Sequence, residues 1–241
     1  MDVSDFSLSR TNLSQQVADH LEEVILASSS TRVSEKLPSE MKLAKQYNVS
    51  RPVIREALKL LQERGLVTLK NGSGAYITKP ETDTVMTAVS RIMQVDNISP
   101  EELTEVRGIL EMSAVELAAV HANAEQLARM DHILKLFNDK TLPLKDRVAL
   151  DASFHIAIAE ASGNELLTMF VEVLTSLLKE YMGKGILIQG GIDDAIDRHR
   201  KILDALSDHD VGLARLAMTE HLKVSSENVR QFDSRSQAKE N

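Results

Sequence analysis

A mainly α fold in two domains is predicted by three features of this 241-residue sequence. Residues 1–79 read as helix, short helix, helix and then two short β-type runs around a Gly-rich turn, the order of a winged helix-turn-helix. Residues 80–234 carry helical periodicity alone, the mark of an all-α helical bundle. Charge divides along the same line: residues 1–79 hold 11 Lys and Arg against 9 Asp and Glu, a balance of +2, and the rest carries −10 of a chain whose net charge is −8. Residues 235–241 read as a flexible tail.

Each element has a local cause. Val17, Leu21, Val24 and Ile25 recur at helical spacing within 13–26, before a Ser/Thr-rich break at 28–34. Pro38-Ser39 opens a short helix that ends near Asn48. Ser50 is placed to cap the next helix, Pro52 is tolerated in its first turn, and Gly65 stops it. Val67 to Lys70 and Ala75 to Thr78 flank Asn71-Gly72-Ser73-Gly74, a hairpin pattern. Beyond Pro80, Ser99-Pro100-Glu101-Glu102 combines a capping Ser, Pro at the first helical position and a Glu at the third. Further helices are expected from Asn123, Leu144, Asn164, Ile192 and Asp210.

Several function classes fall away on composition. The chain has no Cys, so disulfides, thiolate metal sites and cysteine nucleophiles are excluded. No apolar run approaches the ~18 residues of a membrane span, and the polar N-terminus lacks a secretory pattern, so a cytoplasmic location is expected. The acidic average does not argue against nucleic acid, because affinity depends on local phosphate contacts. From Lys42 to Lys79, eight basic residues face only Glu56 and Glu63. Arg51, Arg55 and Lys59 lie four apart on one helical face. Arg51, early in that helix, is the candidate for reading guanine O6 and N7 in the major groove, and Arg55 for a base or a phosphate. Lys45 and Lys59 suit phosphate, Lys70 adds charge to the wing, and Gly72 and Gly74 let its backbone approach the strand. The same stripe also fits an ordinary solvated face.

A longer pattern bears on that choice. Leu37-Pro38-Ser39-Glu40, Leu43-Ala44, Val49-Ser50-Arg51, Val53, Arg55-Glu56-Ala57-Leu58, Leu61, Gly65-Leu66-Val67 and Gly72-Ser73-Gly74 resemble the GntR family of transcription regulators, in order and without gaps. The resemblance implies contact with double-stranded DNA by this segment, with Ser39 and Ser50 in the contact set, and a homodimer on a pseudo-palindromic operator. Met41 stands where the family usually has Arg, and Lys42 replaces that residue only in charge.

In the second domain the informative residues are polar ones in apolar surroundings. Val148 to Ala159 is apolar nearly all round, so its helix should be buried, and the Asp151 and His155 within it, four apart, share one face. A buried carboxylate and imidazole need partners. His199 and His221 fall on two later helices. Converging, the four would form an N/O site for zinc, nickel, manganese or iron; apart, they are unrelated packing and surface residues. His20, His121, His132 and His209 have no such context. This spacing resembles the FadR-type branch of the GntR regulators, whose C-terminal FCD domain holds a metal with one Asp and three His. The resemblance implies Asp151, His155, His199 and His221 as ligands, zinc first among the divalent ions, and a small organic or sugar acid as effector. It also implies Arg107 as a guanidinium facing that acid's carboxylate.

Two other classes remain to compare. A metal-dependent enzyme built on the bundle is the alternative, although no His follows a Glu by three residues, as di-iron bundles require. An architectural DNA binder would have no use for a buried polar cluster.

Overall fold

The computed structural model describes residues 13–27, 33–78, 82–188 and 190–240, with side chains as far as 234. The polar N-terminus, most of the Ser/Thr-rich break, Lys79 and Pro80 at the expected domain boundary, and Asn241 lie outside the described residues. The chain divides into two compact units, Met1–Thr84 and Val85–Asn241.

The first unit contains α1 (Leu13–Ala27), α2 (Glu40–Tyr47), α3 (Arg51–Glu63), β1 (Val67–Lys70) and β2 (Gly74–Ile77). Val17, Leu21 and Ile25 of α1 meet Leu43 of α2 and Ile54, Ala57, Leu58 and Leu61 of α3 in one core, closed from below by Val67, Ala75 and Ile77 of the hairpin. Ser39 Oγ accepts from the Lys42 amide at 3.3 Å, and Asn48 turns left-handed (φ 53°) to end α2. Ser50 does not cap α3 as expected, for its side chain makes no capping hydrogen bond. Pro52, lacking an N–H, leaves that turn with one orphan donor fewer. The strands are antiparallel, pairing Val67 with Ile77 and Lys70 with Gly74. The Leu37 amide donates to the Ala75 carbonyl at 2.9 Å, which lays residues 36–37 along β2.

The second unit is helical: α5 (Pro100–His121), α6 (Ala124–Phe137), α7 (Leu144–Ala161), α8 (Glu165–Ile186), α9 (Gly191–Ser207) and α10 (Val211–Glu240). α4 (Thr82–Asp96) spans the division between the units and buries no residue. Ser99 and Asn123 each form a complete capping box, with Glu102 and Gln126, and Asn164 caps α8. α10 continues to Glu240, through the stretch expected as a tail. As its all-round apolarity predicts, α7 packs on α5, α6 and α8, and Phe154, Ile158 and Ala159 have no exposed surface. α10 packs on α5, α8 and α9. Side chains from α5, α7, α9 and α10 therefore share one interior.

Candidate functional site

That interior holds the polar cluster. His155 on α7, His199 on α9 and His221 on α10 bring ring nitrogens within 4.8 Å of one another, and their exposures are 1%, 0% and 5%. Ring centroids are 4.5 Å apart for His199 and His221 and 4.9 Å for His155 and His221. Asp151, one turn before His155, places Oδ1 3.6 Å from His199 Nε2. That is near the ~3.4 Å edge of a tetrahedron of atoms each ~2.1 Å from its centre. Both nitrogens of His155 and His199, and Nδ1 of His221, are buried without a hydrogen-bond partner among the described residues. Each such group costs about 1–3 kcal/mol when left unsatisfied. A cation at the shared point would satisfy several together, so the donor set fits a metal.

Electrostatics supply the protonation state a ligand needs. Burial first, then the neighbouring imidazoles and Arg107, hold His199 and His221 well below the usual imidazole range, so their lone pairs stay free at neutral pH. Burial raises Asp151, with His155 and Arg107 opposing it. The sign for stability follows from linkage. Below pH ~6.5 the unfolded chain takes up protons at these histidines and the folded one does not, so stability falls as pH drops. Two such groups give at most about 2.7 kcal/mol per pH unit, and Asp151 works the other way. Metal-free protein is expected to show a lower urea midpoint at pH 5.5 than at pH 6.5; equal midpoints would mean that the imidazoles titrate in the folded state.

Two further buried charges adjoin the histidines. Arg107 and Glu111, one turn apart on α5, are 3% and 1% exposed. Arg107 Nε donates to Glu111 Oε1 at 2.5 Å. Glu111 Oε2 lies 3.0 Å from His155 Nδ1, without the alignment of a hydrogen bond. Burial pushes the Glu111 carboxyl up, but Arg107 and His155 outweigh it and hold it down at about 2. Glu111 escapes sequence reasoning because it reads as one more polar position on an amphipathic helix.

Beside Asp151 and His221 is a cavity of about 20 Å³, room for little more than one water. Its other polar walls are Asp194, Arg198, Ser225 and Asn228. Arg107 is absent from this lining; its guanidinium is committed to Glu111. Arg198 itself is paired with Asp194 and with Glu220, the latter at 3.1 Å. Ser225 and Asn228 follow His221 by four and seven residues on one face of α10, a spacing that would have revealed them.

The first unit carries the second site. A groove of about 730 Å³ runs between α3 and the wing. Its cations are Lys36, Arg51, Arg55, Lys59 and Lys70, and Ser39, Gly72 and Gly74 line it too. Gly74 holds φ 109°, a conformation that side chains rarely adopt. Glu40 accepts from Arg55 through Nε at 3.2 Å and Nη2 at 2.9 Å, and from Arg51 at 3.5 Å. Lys59 pairs with Glu56 at 2.8 Å. Lys42 and Lys45 are exposed on α2 but do not line the groove, nor does Ser50. Met41, 70% exposed, sits in it as an apolar contact. Lys36, absent from the expected contacts, lies 5.8 Å from the Tyr76 ring centroid, with Lys70 at 4.8 Å. Its place beside the wing comes from the bridge with Tyr76, which sequence spacing does not display.

Comparison with known proteins adds the family. Residues 13–77 match the bacterial regulatory proteins of the gntR family, and residues 102–224 match the FCD domain. The Uxu operon transcriptional regulator of Escherichia coli K12 is 33% identical over 82% of this chain and 77% of its own length. The regulator LutR of Bacillus subtilis is 31% identical over 78% and 88%, and the repressor NanR of Salmonella arizonae 30% over 95% and 89%. A solved structure, Streptococcus agalactiae GntR, superimposes with a TM-score of 0.68 at 28% identity, covering 88% of this chain and 97% of that one. Fold and relatives together define a DNA-binding transcriptional regulator, not an enzyme. The chain belongs to the GntR family, with an FCD domain as its second part. Among the described residues no helix is long and apolar enough to cross a membrane.

Proposed function

We propose that this chain is a ligand-controlled repressor that binds a pseudo-palindromic operator as a homodimer. Its operator binding is set by a small organic or sugar acid held beside a divalent metal, zinc in the first instance, with nickel, manganese and iron as alternatives. Asp151, His155, His199 and His221 are the proposed ligands. The observation that carries this reading is the convergence of three buried imidazoles, with ring nitrogens left without hydrogen bonds among the described residues, on Asp151 inside a largely apolar bundle. When bound, the ion supplies a positive centre with positions left over for a carboxylate or hydroxyl oxygen. Arg198, Ser225 and Asn228 stand where they could bond the rest of a small acid. Arg107 is paired with Glu111, and at His221 that carboxylate outweighs the guanidinium's own charge. On the DNA side, Arg51 and Arg55 are the proposed base-reading groups, and Lys42, Lys45, Lys59 and Lys70 the phosphate contacts. The repressor assignment follows the name of the NanR relative.

The test is a thermal-shift screen of small organic and sugar acids on metal-loaded protein, repeated after chelation. A bound acid raises the melting temperature by about 2.7 kcal/mol worth of stabilisation at 100 times its Kd. The expected result is a shift from one class of acid that chelation abolishes. A shift indifferent to chelation would remove the metal from effector binding.

A further inference from the structure

We infer that Glu111 is the positioning residue of the histidine centre: it holds His155 with Nδ1 protonated toward its carboxylate, so that Nε2 offers its lone pair to the ion, and Arg107 holds Glu111 in place. The inference rests on the metal reading above.

Three observations carry it. The carboxylate is divided between two neighbours, with Oε1 on Arg107 Nε at 2.5 Å and Oε2 at 3.0 Å from His155 Nδ1. The distance to His155 is that of a hydrogen bond, although the ring as placed lacks the alignment of one. A neutral imidazole that donates from one nitrogen keeps its lone pair on the other, and His155 Nε2 is buried with no hydrogen-bond partner among the described residues. Among the described residues neither of the other two imidazoles has a carboxylate oxygen this close, since Asp151 is 3.6 Å from His199.

The Arg107–Glu111 pair has little other use. Both residues stand on α5, one turn apart, so the pair ties no second element into the fold. Burying two opposite charges is costly in desolvation, and an apolar pair of similar volume is often as stable or more so. What the pair does provide is a carboxylate fixed in direction beside His155. Histidine ligands generally donate their second nitrogen to such a group, and losing it weakens metal binding 10- to 100-fold.

The experiment compares full-length wild type with Glu111→Gln and Glu111→Leu, in two measurements. Zinc affinity is measured by competition with a chromogenic chelator, and the imidazole ¹⁵N shifts of His155 are recorded in metal-free protein. Expected are a ~10- to 100-fold weaker zinc complex in both variants, and a wild-type His155 protonated at Nδ1 that changes tautomer in Glu111→Leu. Unchanged zinc affinity in folded Glu111→Gln, or a wild-type His155 protonated at Nε2, would overturn the assignment. Should wild type take up no zinc, the metal reading fails and the wild-type tautomer alone decides the role of Glu111. A Glu111→Leu protein that does not fold leaves the decision with Glu111→Gln and the wild-type shifts.

Discussion

Replacing His199 by Ala is expected to weaken zinc binding more than ~100-fold, beyond what loss of an outer-shell partner does, and with it to abolish the acid-induced thermal shift. His199 has no exposed surface and lies within reach of both other imidazoles and of Asp151. No other described side chain stands ready to replace it. Its ring also packs on Phe154, with centroids 4.6 Å apart, and on Phe137 at 5.8 Å. The variant therefore leaves a hole as well as a vacant ligand position. For that reason metal content, by mass spectrometry of dialysed protein, has to be read beside a urea unfolding curve. A cooperative transition with no bound zinc is the expected pair of results. Stoichiometric zinc in His199→Ala would disprove the ligand set.

The second large effect is expected on the DNA side. Arg51→Ala should lose about 1–3 kcal/mol of operator binding, a factor of roughly 5 to 150, and should narrow the ratio of specific to non-specific affinity. Lys70→Ala, by contrast, should weaken all sequences alike and reduce the salt slope by about one. The distinction follows from position. Arg51 is the first residue of α3, while Lys70 ends β1 beside the turn at the tip of the wing. Glu40 lies between Arg51 and Arg55, its carboxylate accepting from Arg55 at 2.9 and 3.2 Å and from Arg51 at 3.5 Å. Gel-shift titrations against operator and scrambled duplex at two salt concentrations separate the two behaviours. An Arg51→Ala protein with unchanged discrimination would move base reading elsewhere.

Where the sequence speaks clearly, a side chain answers an unpaired backbone group. Ser99, Asn123 and Asn164 mark helix starts because each accepts a backbone N–H there. The Gly-rich turn between β1 and β2 is legible for a related reason, since left-handed backbone demands glycine. α4 offers no such anchor, since none of its residues is buried. Ser50 shows the converse, a capping residue in the right place that caps nothing. The centre divides the same way. Asp151 and His155 betray themselves as polar residues in an apolar run, whereas Glu111 and Arg107 sit among Glu105, Glu116 and other exposed-looking positions of α5. Their burial comes from the helices that close over them, which no local pattern records.

The cavity beside Asp151 and His221 has a consequence for any acid that is to enter it. A carboxylic acid of even three carbons needs several times the room of one water. The walls are already tight: a Cβ on Gly185 of α8 would lie 3.2 Å from Val229 Cγ2 and 3.3 Å from the Ser225 carbonyl oxygen of α10. On α9, a Cβ on Gly191 would lie 2.7 Å from the Gly185 carbonyl oxygen. At Gly191 backbone stands close to backbone, so room made there has to come from movement of α8 and α9 and not from side-chain rotation. The free energy of that movement is subtracted from whatever the acid gains by contact, and its apparent affinity is lowered by the fraction of molecules already open. On the proposed reading, such a chamber would discriminate by work done rather than by fit alone: an acid that bonds strongly enough to open it would, in opening it, move the helices.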